Sequence, residues 1–563
     1  MQKTFEQMRL AYERQARRIW IVNVGDLKPL EEPISHFMDL AYDINSFDAN
    51  SLPNWLEAWA TREFGAEVAE QTALIMSNFS ILTGRRKFEL VDEGTYNLVN
   101  YNEGERVLDE WRTLQEAAQA VMDGLPTEVQ PAFYEMVYHA VTAGYVLHDI
   151  YISSARNNLY AMQGRNSANA LAQHVLDQFA RDQELSTMYN TMLNGKWNHM
   201  MDQTHIGYDG YWQQPMRQRI PGLRYVAATE RALTGDMGVS IDTSNATVPG
   251  DDQFHGNGQN FLTMPPFDPY GASSRWIDIF SVGINEFHWN ITANASFVFF
   301  SEVEGTLSPN GTSDTRVWAT FDFSQAPPGQ GLVQVNITSK PLTMNEFSEG
   351  EIYGAQFNMP QLWLPYNNTA LPEDFSNGFV ESDAHLSIEM EHYSSITDSP
   401  SPAHYEVIPG LSRTLSGITL LPPNAPSQDS SGPALVYNLY TFSDLSTGIV
   451  TPTNVINITI ATTNSLNSYP DRPLTYGIQF DDQDIQTVQY IEDQPAGANP
   501  VDWLGAVSDN VWTSTTNFTY SGPGEHTLKV WALEPGVVFN TAWIDLGGIR
   551  DSYLGPPESY RVQ

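Results

Sequence analysis

The 563-residue sequence contains no cysteine, which excludes disulfides and thiolate chemistry and removes the usual clue to redox compartment. Basic residues are scarce: 28 Lys and Arg stand against 67 Asp and Glu, a formal net charge of −39. Such a surface repels nucleic acid and anionic membranes, so neither is expected as a partner. No apolar run of about 18 residues occurs, so no membrane-spanning helix is expected. The opening MQKTFEQMRL has no apolar core of the signal-peptide kind. A Gly-rich phosphate loop, a zinc-binding HExxH, a nucleophile elbow and an EF-hand loop are all missing. No cofactor and no metal site are expected.

What the chain does contain is apolar and aromatic material for large cores: 41% hydrophobic residues, with 14 Trp and 26 Tyr. Its length corresponds to roughly two to four domains. Asn-x-Ser/Thr sequons begin at Asn78, Asn245, Asn290, Asn294, Asn310, Asn336, Asn367, Asn457 and Asn517. With the acidic balance, they favour a secreted glycoprotein. A secreted body without a leader points to a true N-terminus further upstream.

Residues 4–18 carry a helical stripe, Phe5, Met8, Ala11, Tyr12 and Gln15. Ile19 to Val22 then form a continuous apolar run, which suits a parallel strand buried on both faces. A second helical stripe follows in ISHFMDLAYDI. Helix, strand and helix make the closing segment of a larger α/β unit. From residue 52 to 203 the pattern is amphipathic and helical with short breaks, a helical bundle. Beyond 240, short segments rich in Trp, Phe, Val and Ile alternate with Gly, Pro and Asn, as in β-sandwiches. Residues 360–377 read as a linker between two of them. In HLSIEME, Leu386, Ile388 and Met390 alternate with Ser387, Glu389 and Glu391, a strand with one solvated face.

Two stretches hold candidate chemistry. In NVGD, Asn23 and Asp26 fall just past the apolar run, where α/β folds deliver groups to a reaction centre. Asn23 would donate to a substrate hydroxyl or carboxylate, and Asp26 would orient a water or a base. Equally, Asp26 caps the next turn and Gly25 allows it. In KWNHMMDQTHIGYDGYWQQP, His199 and His205 are too widely spaced for a zinc set, whereas Tyr208, Trp212 and the Gln residues suit packing or a sugar site. Asp481, Asp482 and Asp484 lack the Gly and Glu of a calcium loop and read as a turn.

RIWIVNVGDLKPLE, KWNHMMDQTHIGYDGYWQQP, GFVESDAHLSIEMEHY and VVFNTAWIDLGGIRDSYLGPPES resemble, in sequence and order, glycoside hydrolase family 115, the xylan α-1,2-glucuronidases. The resemblance implies a multidomain α and β chain. Residues 1–48 would be the remnant of a (β/α)8 barrel end, 49–235 an α-helical bundle, 236–360 a first antiparallel β-sandwich, and 361–563 a second, jelly-roll-like one. It implies inverting hydrolysis of the bond joining (4-O-methyl-)glucuronic acid to glucuronoxylan or another uronic-acid-substituted polysaccharide. No cofactor is implied; a homodimer is. Asn23 is carried over as an active-site residue with Asp26 beside it; Lys28, His205 and Tyr208 are expected to bind substrate. The family's general acid and base lie on earlier strands that this sequence does not contain, so the chain alone is expected to be inactive. The competing expectation is a non-catalytic carbohydrate-binding or structural module.

Overall fold

The computed structural model describes every residue except 209–212, 233–234, 250–260, 311–313, 343–359, 446–453, 468, 470 and 496. Trp212 therefore lies outside the described residues. The N-terminal part is helical: α1 (Gln2–Glu13), α2 (Glu31–Tyr42), α3 (Leu52–Phe64), α4 (Ala69–Arg85), α5 (Glu103–Gly124), α6 (Gln130–Phe133), α7 (His139–Met162) and α8 (Ala168–Gly195). A π-helical turn, Tyr134–Tyr138, joins α6 to α7.

The sequence accounts for these helices locally. Pro53 stands in the first turn of α3, where a missing N–H costs nothing, and Gly65 ends it at φ 97°. In α5, Val107, Leu108, Trp111, Leu114, Ala118 and Val121 form one buried stripe. That stripe packs on α7, where Gly144 leaves room for the fully buried Trp111; a Cβ there would meet the indole at 2.5 Å. The Trp111 ring in turn stacks on His148, 4.7 Å between centroids. Helix α7 is buried on most of its faces and forms the axis of the bundle.

The segment between α1 and α2 departs from expectation. Ile19–Val22 does not form a strand, and Ile19 and Ile21 are 79% and 89% exposed. A strand that is apolar on both faces needs partners on both, and the described residues supply none.

Four sheets follow. In the first, five described strands run in the order Thr247–Val248, Met237–Ile241, Ser274–Ser281, Thr315–Phe321 and Val298–Phe300. In the second the order is Phe261–Thr263, Gln361–Asn368, Gly329–Pro341, Phe287–Ala293 and Glu304–Leu307. Val239, Ile277 and Val317 of one sheet share a core with Trp289, Val335 and Leu362 of the other. The linker expected from residue 360 is thus partly a strand: Gln361–Asn368 pairs antiparallel with Gly329–Pro341, with Leu362 opposite Val335. Leu362, Leu364 and Tyr366 alternate inward, a period of two that the Pro and Asn content masked. The second pair of sheets shares a core of Ile388, Ile458 and Ile544 against Leu439, Ile478 and Val530. Each pair contains a parallel strand pairing, Gln361–Asn368 with Phe261–Thr263 and Gly378–Val380 with Leu435–Thr441, so neither is purely antiparallel.

The outer face of His385–Glu389 is not solvated as its alternation implied. Ser387 donates to the Pro556 carbonyl and its N–H is accepted by Ser559 Oγ, so the C-terminal segment covers the strand. Burial, with Glu558 and Glu391 nearby, raises Glu389 to about 7.

The helical bundle holds both pairs of sheets. Arg165, 1% exposed, contacts Asp278 at 3.1 Å and Asp314 at 2.8 Å, and stacks on Phe280. Asp278 also takes two hydrogen bonds from Arg316, which reaches Glu105 of α5. In the same first turn of α5, Glu103, fully buried, accepts the backbone N–H groups of Asn97, Tyr553 and Leu554 at 2.8, 3.0 and 2.6 Å. Replacing Glu103 by Ala leaves these donors unpaired. The expected loss is on the order of 3 kcal/mol, read as a lower urea midpoint with early amide exchange at Tyr553 and Leu554.

Candidate functional site

A cavity of about 670 Å³ opens between the loop leading into α2, the π-turn and first half of α7, α8, and the loop at 200–208. Its size is that of a small-ligand site. Asp26, Lys28, His205 and Tyr208 all line it, although the two pairs come from distant stretches of sequence. Asn23 does not; it is exposed on the irregular segment before the cavity. Phe79, Met76, Met136, Ala140 and Leu147 supply an apolar wall.

Lys28 approaches from the turn before α2. Its ammonium pairs with Glu31, lies 3.5 Å from Glu135 Oε1, and sits 5.3 Å above the Trp197 ring. Partial burial opposes its charge, but the hydrogen bond to Glu31 and the Glu135 carboxylate together outweigh that and raise its pKa. Glu135 is itself 2% exposed and accepts the Tyr189 hydroxyl at 3.0 Å. Burial first, and the neighbouring Glu31 second, push Glu135 above the usual carboxylate range. The π-turn that carries Glu135 adds a residue to the helix and so sets its facing relative to His139; such turns recur at functional sites.

His205 is held from both ring nitrogens. Nε2 contacts Asp182 Oδ1 at 2.7 Å, while Nδ1 lies 3.0 Å from the Gln203 carbonyl. Gln218 accepts the backbone N–H groups of His205 and Ile206. Burial disfavours the imidazolium, but the hydrogen bond and charge of Asp182 prevail and its pKa is raised. Tyr208 donates to the Thr204 carbonyl at 3.4 Å, and burial with the Glu89 charge raises its phenol. Asp26 is exposed at the rim. His199 points elsewhere: it pairs with Asp202 at the surface, 2.5 Å away.

Several groups here do not stand out in the sequence, because an amphipathic helical bundle reads as packing. Glu135 and His139 are four apart in FYEMVYHAV, and Asp182, Ser186 and Tyr189 are spaced by four and three in RDQELSTMY. Polar residues repeated at helical spacing on an aromatic face are the signal that was available. Among the described residues, no group of three or more His, Asp or Glu side chains is placed to hold a metal ion. The cations of the cavity are each already matched by a carboxylate. An anionic ligand would therefore share them, and neutral polar contacts would have to supply part of any affinity.

Sequence comparison finds the glycosyl hydrolase family 115 profile over residues 1–90 and the family's C-terminal domain profile over residues 378–558. No protein of curated function matches the sequence. Among solved structures, a family GH115 4-O-methyl-α-glucuronidase, BtGH115A, with specificity for decorated arabinogalactans, superposes with a TM-score of 0.52 at 14% identity. The match covers 96% of this chain and 47% of that one, so this chain spans less than half the length of that relative. The PapD-like domain of human CEP192 (11% identity, 28% of this chain and 99% of that one, TM-score 0.17) and a Podospora anserina GH26-CBM35 β-(1,4)-mannanase (10% identity, 29% and 28%, TM-score 0.16) are too distant to carry an argument. The two ends of this chain, residues 1–90 and 378–558, thus belong by their profiles to glycoside hydrolase family 115, and the chain shares the fold of a family member along nearly its whole length.

Proposed function

We propose that this chain is the C-terminal part of a secreted α-glucuronidase that removes (4-O-methyl-)glucuronic acid from glucuronoxylan or another uronic-acid-substituted polysaccharide. The observation that carries this reading is the single cavity shared by Asp26 and Lys28 with His205 and Tyr208. Lys28 and His205 supply positive charge to a uronic carboxylate, and Tyr208 a ring and a hydroxyl to the sugar. Asn23 and Asp26 belong, on this reading, to the end of a barrel strand completed by upstream residues, which would also cover Ile19 and Ile21. Inverting hydrolysis needs an acid and a base separated by about 6.5–9.5 Å. The family resemblance puts both on that upstream part.

A second reading, a non-catalytic carbohydrate-binding or structural module, is favoured by the chain's covering only 47% of its solved relative. Uronic acid release separates the two. Glucuronoxylan and a glucuronic-acid-bearing arabinogalactan are each incubated with the 563-residue chain and with a form extended upstream. Release only by the extended form is expected; release by neither form would leave the binding module.

The same reading sets a pH dependence. The raised pKa of His205 means that its charge, and the stability it adds with Asp182, are fully present below about 6.5, the ordinary imidazole value, and are lost as pH rises through the higher folded value. Glucuronate binding by calorimetry is expected to weaken over that upper range, and to fall roughly tenfold in Lys28→Ala and in His205→Ala at pH 6. An unchanged affinity in both variants would remove the cavity from the reading. Secretion predicts a further result. All nine sequon asparagines are exposed or half-buried, with Asn457 directly opposite Asn517 on neighbouring strands. Secreted by a eukaryotic host, the protein should lose mass on endoglycosidase treatment.

A further inference from the structure

The four motif residues leave part of the cavity unexplained. Glu32, in the first turn of α2, and His139, the first residue of α7, are 5% and 8% exposed and both line it. Glu32 Oε1 and His139 Nδ1 are buried atoms without a hydrogen-bond partner. Buried polar atoms in folded proteins are nearly always satisfied, so two such atoms on one cavity call for a polar occupant.

The state of the two groups narrows its chemistry. Burial raises Glu32 to about 7, and burial with the His205 charge lowers His139 to about 4. In mildly acidic to neutral solution a protonated carboxyl is available to offer both a donor and an acceptor, and a neutral imidazole also offers one of each. Neither then holds a charge that selects an ion. Beside them lie Met76, Phe79, Met136 and Leu147, an apolar wall. Neutral hydrogen-bonding groups next to an apolar face suit a pyranose, whose hydroxyls form a polar rim around a C–H face.

We propose that Glu32 and His139 are specificity-determining residues that hydrogen-bond the ring hydroxyls of a sugar in this cavity. The inference rests on the reading of the cavity as the uronic acid site. There Lys28 and His205 answer to the carboxylate, while Glu32 and His139 distinguish a sugar acid from any other small anion.

The test is calorimetry on the full 563-residue chain with D-glucuronate, its monodeoxy analogues, and acetate as a carboxylate without ring hydroxyls. Glu32→Gln and His139→Asn keep the volumes close to native, and their thermal transitions report that they fold. Each should weaken glucuronate binding roughly tenfold and leave acetate binding unchanged. One monodeoxy analogue should lose a similar factor with the unaltered protein and nothing more with Glu32→Gln. If the unaltered protein does not bind glucuronate, the functional reading fails and this inference with it. Binding that neither variant nor any deoxy analogue weakens would overturn this inference alone, and would mean that water satisfies the two atoms. Should a variant fail to fold, the deoxy series with the unaltered protein decides.

Discussion

A carboxylate with no access to solvent is costly unless its oxygens are filled, and Glu103 fills them with backbone N–H groups from two distant places. Asn97 lies just before α5, whereas Tyr553 and Leu554 lie near the C-terminus. The last segment of the chain is thereby tied to the bundle, and that segment in turn covers the strand His385–Glu389. Arg165 does the same for the first pair of sheets, with its guanidinium shared by Asp278 and Asp314. Helix α7, the axis of the bundle, is also a wall of the cavity, and Arg165 lies three residues beyond its last turn.

The pairs of sheets are also fastened to each other. Ser382 Oγ donates to Asp268 at 2.7 Å, Arg275 lies 3.6 Å from Asp383, and Tyr270 stacks on Phe442. These contacts combine hydrogen-bonded and charged pairs with one ring stack, whereas the cores on either side are built of apolar aliphatic and aromatic side chains. Within the cavity the same economy holds on a smaller scale. Each cation has its carboxylate, Lys28 with Glu31 and Glu135 and His205 with Asp182, and these partners raise both pKa values although burial opposes the charge. Glu32 feels the nearby Met1 amino group and His139 the Asp182 carboxylate, but burial outweighs both and moves the two groups toward their neutral forms.

Helices were legible where one apolar stripe repeats at helical spacing, as in α5, and strands where the alternation is strict, as in Leu386, Ile388 and Met390. The reading failed where a segment's fate depends on what covers it. Ser387 has the sequence of a solvated face but is roofed by residues 556–559. Gln361–Asn368 has the composition of a linker but completes a sheet. Ile19–Val22 has the composition of a buried strand, yet it stands exposed without neighbours.

The sequence by itself determined the local periodicities, the acidic surface, the absence of thiol chemistry and the order of the motif stretches, because each is a property of a residue or of near neighbours along the chain. It also singled out Asp26, Lys28, His205 and Tyr208, whose residue types carry chemistry in any setting. Only the tertiary structure decided that these four share one cavity while Asn23 does not line it, and that Glu135, His139, Asp182 and Glu32 stand with them. Proximity between residues far apart in sequence, and the burial that shifts their charge states, depend on how helices pack around α7, and no short window of sequence encodes that.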